Sequence, residues 1–74
     1  MSFLELVCER RKLESKRFIL RQRLTRQLMA EPTSGTEEHT AWYAELMGID
    51  DTLMSVECSL VRVRGALKAQ KVGA

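Results

Sequence analysis

The sequence predicts an all-α protein, an antiparallel two-helix hairpin, on three observations. The second half of the chain places an apolar residue at every step of a 4-3 spacing: Trp42, Leu46, Ile49, Leu53, Val56, Leu60, Val63 and Leu67. Strands alternate with a period of two, so such a run specifies one long helix with a narrow packing stripe. Residues 1–30 carry a matching apolar face and contain neither Gly nor Pro. Between the two halves lies EPTSGT, with the only proline of the chain and a Ser-Gly pair, the clearest turn signal present.

Helix one is expected over residues 2–30. Ser2 followed by Glu5 fits a capping box, in which hydroxyl and carboxylate satisfy the first free amides reciprocally. Phe3, Leu6, Leu13, Leu20, Leu24 and Leu28 form one face, with Val7 and Phe18 on its flank. The turn follows at 31–35. Helix two is expected over 36–70, where Ser34 with Glu37 offers a second capping box and Thr36 competes as N-cap. Glu37 and Glu38 suit the positive end of that helix, and Lys68, Lys71 and Gly73 suit its C-terminus. Gly48, followed by Ile49-Asp50-Asp51-Thr52, is a candidate kink or break at 48–51. The stripe passes through Gly48 without losing phase, which favours a continuous helix. Gly65 carries only a modest propensity cost.

Folding the chain at residues 33–35 brings positions whose numbers sum to about 68 to the same height, at equal rise per residue. Leu24 then meets Trp42 and Leu46, Leu20 meets Leu46 and Ile49, and Leu13 meets Leu53 and Val56. Leu6 meets Leu60 and Val63, and Phe3 reaches Leu67. The stripes match along their length, as a single helical-hairpin domain over residues 1–74 requires. The charges have an order too. Residues 1–30 hold eight Lys/Arg and three Glu, residues 31–57 seven acids and no Lys/Arg, and residues 58–74 four Lys/Arg and no acid. In the hairpin the acidic middle faces the basic part of helix one, which sets Arg10 near Glu57 and Arg17 near Asp50 and Asp51.

Seventy-four residues with 45% hydrophobic and 30% charged side chains make a small folded chain that is neither membrane-spanning nor compositionally disordered. A chain this short is marginal as a monomer. No secretory signal is read at the N-terminus, because MSFLELVCERRK lacks a basic region ahead of an unbroken apolar one. Cys8 and Cys58 set no disulfide framework and are read as free thiols, which fits a cytoplasmic location.

Function is sought beside the stripe. Tyr43, Met47, Met54 and Val61 form a second row on helix two, with Cys58 nearby, and helix one adds Val7 and Phe18. Two helices cannot cover both rows. The expectation is a non-enzymatic interaction module, a small adaptor, chaperone or regulatory protein. It would be completed as a four-helix bundle by self-association, or by a partner helix. Methionines adapt to more than one partner shape. The alternative is an RNA- or DNA-binding dimer using Arg11, Lys12, Arg21, Arg23 and Arg26, although no aromatics interleave with them for base stacking. Enzyme chemistry has little support. His39 is the lone histidine, in the first turn of helix two, and no nucleophile is placed beside it by sequence. There is no Gly-rich phosphate loop, the cysteines lack metal-ligand spacing, and Asp50, Asp51 and Glu57 as a cation site compete with their arginine partners. No catalytic, cofactor or metal residue is assigned.

Overall fold

The computed structural model describes residues 2–73, with side chains to Gln70. It holds two helices, α1 over Phe3–Met29 and α2 over Glu37–Gly73, packed as an antiparallel hairpin. Helix α1 begins where the Ser2 hydroxyl accepts a hydrogen bond from the Glu5 N–H at 3.2 Å. The return bond of a full capping box, from the Ser2 N–H to the Glu5 carboxylate, is not formed among the described residues. At the other end the Ala30 N–H bonds to the Gln27 carbonyl. The connection then turns through Gly35, whose φ of 84° lies in the left-handed region that favours glycine.

Thr36, rather than Ser34, caps α2. Its hydroxyl accepts from the His39 N–H at 3.1 Å and donates to the Thr33 carbonyl at 2.8 Å. One residue thereby closes the turn and starts the helix. No break occurs at residues 48–51: α2 runs through Gly48 to Gly73. The Thr52 hydroxyl donates to the Gly48 carbonyl at 2.9 Å, four residues back, as a threonine inside a helix does.

The core is a single file of side chains along the seam. Leu6, Leu20, Ile49, Leu53, Val56, Leu60 and Leu67 are buried, and Leu13 and Leu24 pack partly buried against the central cluster. Leu60 is the most enclosed, at 1% exposed. Leu6, Leu13 and Val63 line one groove together, and Phe3 and Leu67 another, so the register follows the alignment of the two stripes. The stripe nevertheless thins at both ends. Phe3 and Leu28, assigned to the α1 face, are more than half exposed, and Trp42 and Leu46 are only half-buried. A pair of helices encloses a residue only if it points straight at the other helix; Phe3 and Leu28 lie off that line.

Near the turn, polar groups complete what the stripe does not. The Trp42 indole N–H donates to the Gln27 carbonyl, and the Gln27 side-chain amide donates to the Trp42 carbonyl at 3.1 Å. This reciprocal lock fixes how α2 leaves the turn relative to the last turn of α1. The backbone spans 57 × 14 × 14 Å, with a radius of gyration of 16.9 Å. A compact chain of this length has a radius of about 11 Å. The hairpin is therefore a rod, and each helix keeps most of its circumference uncovered.

Candidate functional site

Two ion pairs between the helices, found among the described residues, show which side of α1 adjoins which side of α2. Arg21 bonds Glu57 at 3.0 Å, and Arg64 bonds Glu14 at 3.4 Å. All four residues stand one position after a seam residue: Glu14 after Leu13, Arg21 after Leu20, Glu57 after Val56, and Arg64 after Val63. One residue is a rotation of 100° in an α-helix. The rows that follow the two seams by one position therefore lie on the same flank of the hairpin. On α1 that row reads Val7, Arg11, Glu14, Phe18, Arg21 and Thr25. On α2 it reads Tyr43, Met47, Asp50, Met54, Glu57, Val61, Arg64 and Lys68.

The structure thus gathers the six apolar candidates, Val7, Phe18, Tyr43, Met47, Met54 and Val61, onto one side of the molecule. Phe18 is 63%, Met54 59% and Val61 69% exposed; Tyr43 and Met47 are exposed too, and Val7 is half-buried. At the open end of the hairpin the flank deepens into a groove of about 860 Å³ lined by Phe3, Val7, Leu67 and the charged Arg10, Glu14, Arg64 and Lys68.

The expected pairing of Arg10 with Glu57 and of Arg17 with Asp50 and Asp51 is not found. Arg10 instead lies 3.9 Å from Glu14 on its own helix, and Arg17 has no ion pair among the described residues. The reason is geometric. Helical side chains lean toward the N-terminus of their own helix. In an antiparallel hairpin, charges at equal height lean past each other. Arg21 and Glu57, whose numbers sum well above the backbone register, lean together, and so do Glu14 and Arg64.

Of the proposed basic set, Arg21 is engaged in this pairing, with its side chain still 58% exposed. Its guanidinium holds α2, while Arg11, Lys12, Arg23 and Arg26 are exposed and have no ion pair among the described residues. Those four lie clear of the seam, spread over about 120° of the circumference of α1. His39 rests against Trp42, ring centres 5.0 Å apart, with its Nε2 3.8 Å from a Glu31 carboxylate oxygen. These contacts belong to the turn. Cys8 and Cys58 are exposed and unbridged. Among the described residues no group of three or more His, Cys, Asp and Glu is close enough to hold a metal ion. No described helix is long and apolar enough to cross a membrane.

The molecule is in class a helical hairpin with one mixed apolar and charged flank. No protein-family model, curated protein or solved structure matches the chain.

Proposed function

We propose that this hairpin is a non-enzymatic interaction module that works by burying its apolar flank against another helical surface. The observation that carries the reading is the row Tyr43, Met47, Met54 and Val61, exposed on α2 and continued by Phe18 and Val7 on the same side of α1. Scattered exposed apolar residues are ordinary on any protein, but apolar residues repeated along one flank, here alternating with Asp50 and Glu57, mark an interaction surface. Helix-on-helix burial suits it, because the row repeats with the spacing of a bundle seam. An adaptor, chaperone or regulatory role in the cytoplasm is the fitting class of activity.

The test is Met54→Glu, with native mass measured for the purified protein and for the protein drawn from its natural source. The expected outcome is loss of the assembled species while helical circular dichroism is retained. A wild-type chain that stays a stable monomer and retains no partner would falsify the reading. Polyanion binding is the second reading, supported by the exposed Arg11, Lys12, Arg23 and Arg26, which have no ion pair among the described residues. It predicts salt-sensitive binding to RNA or DNA that neutral substitutions at those four positions abolish.

A further inference from the structure

From the arrangement of charge along the flank we infer that its occupant is a second copy of this chain, packed antiparallel across a two-fold axis that crosses α2 near Glu57. The inference rests on the interaction-module reading and deepens it by naming the partner. On α2 the flanking row keeps a fixed order: Asp50 and Glu57 lie toward the turn, and Arg64 and Lys68 toward the open end, with Met54 and Val61 between. A row with acid at one end and base at the other is complementary to itself when reversed. Side chains of antiparallel helices meet by leaning toward their own N-termini, so it is the side-chain ends that align: setting the end of Met54 against that of the partner copy's Val61 also sets Asp50 against its Arg64, and the symmetry repeats each contact.

Asp50 is free to serve, since it has no ion pair among the described residues, and Arg64 can donate outward while keeping Glu14. The two copies of Glu57 approach each other at the axis, and each is already held by its own Arg21 at 3.0 Å. The larger charge pattern points the same way. The half of the hairpin nearer the open end, residues 1–16 and 54–74, holds eight Lys/Arg and four acids; the turn half, 17–53, holds four Lys/Arg and six acids. A two-fold along the rod would stack basic end on basic end. The crossing two-fold lays the basic end of one copy on the acidic end of the other, with α1 on α1 and α2 on α2, as in an antiparallel four-helix bundle.

The test is a charge exchange between copies. Asp50→Lys sets lysine against the partner copy's Arg64, and Arg64→Glu sets glutamate against its Asp50; each contact occurs twice. Each variant alone is expected to weaken dimerisation on the order of a hundredfold, since like charges meet at both contacts. Mixed in equal amounts, the two variants form a heterodimer in which both contacts are attractive. Native mass spectrometry should then show the mixed species in excess over either homodimer. Placing both substitutions in one chain restores the homodimer, so the outcome does not depend on a single variant's folding. A wild-type chain that is monomeric at about 100 µM, single variants that dimerise like wild type, or a mixture that stays monomeric overturns the two-fold. A monomer that instead engages a foreign helix through Met54 overturns the self-association and leaves the interaction-module reading standing.

Discussion

Burial along the seam is graded, and single residues should differ accordingly in what they contribute. Leu60 is 1% exposed and Leu53 is buried, while Leu46, on the same stripe, is only half-buried. Truncating a fully buried leucine costs about 2–5 kcal/mol. Leu60→Ala should therefore fall in that range, enough to unfold much of so small a protein, and Leu46→Ala should cost clearly less. Urea denaturation of the two variants measures the difference; equal losses would place the core elsewhere on α2. Residues like these were legible in the sequence, because apolar spacing alone locates them. The charged partners were not. Their backbone heights were close to right, but the lean of each side chain toward its own N-terminus moves the contact, so Arg21 rather than Arg10 reaches Glu57. The Trp42–Gln27 lock is hidden for another reason: Trp42 fits the stripe as one more apolar step, and its indole N–H spends itself on a backbone carbonyl, which no sequence pattern displays.

Each helix as an element is set by its ends and by its glycines. The stripe's unbroken phase through Gly48 was the legible sign that α2 continues, and it does. The choice of Thr36 over Ser34 as cap was open in the sequence, since both hydroxyls precede an acidic first turn; the conformation at Gly35, between them, decides it. The glycines then make opposite predictions. A Cβ at Gly48 or Gly65 meets nothing within 4 Å, and neither has positive φ. Gly48→Ala should stabilise the hairpin by about 0.5–1 kcal/mol, through helix propensity and a less flexible unfolded chain. Gly35→Ala has equal space but forces a side chain into left-handed backbone, and should destabilise by about 1–2 kcal/mol. Thermal melts of both variants read the signs directly. A Gly48→Ala protein less stable than wild type would show that α2 bends at that point in solution.

At the scale of the whole molecule, the rod shape couples folding to association. A compact domain closes its core from all sides, but a hairpin of two helices closes it only along one line, and among the described residues seven buried apolar side chains are the core proper. Conformational entropy opposes folding at every one of the 74 residues. Burying the flank that carries Phe18, Tyr43, Met47, Met54 and Val61 is a further source of apolar contact, and the proposed function supplies it. Any equilibrium that buries this flank between copies binds the folded chain and not the unfolded one, so stability must depend on protein concentration. For a domain of this size, a tenfold rise in concentration of an obligate dimer should lift the melting temperature by about 3–5 °C. Met54→Glu should lower the melting temperature and also flatten that dependence, because it removes association while leaving the seam intact. Calorimetry of wild type and Met54→Glu over a hundredfold range of concentration separates the two effects. A melting temperature independent of concentration in both proteins would mean that the seam alone holds the hairpin together and that the flank serves no second copy.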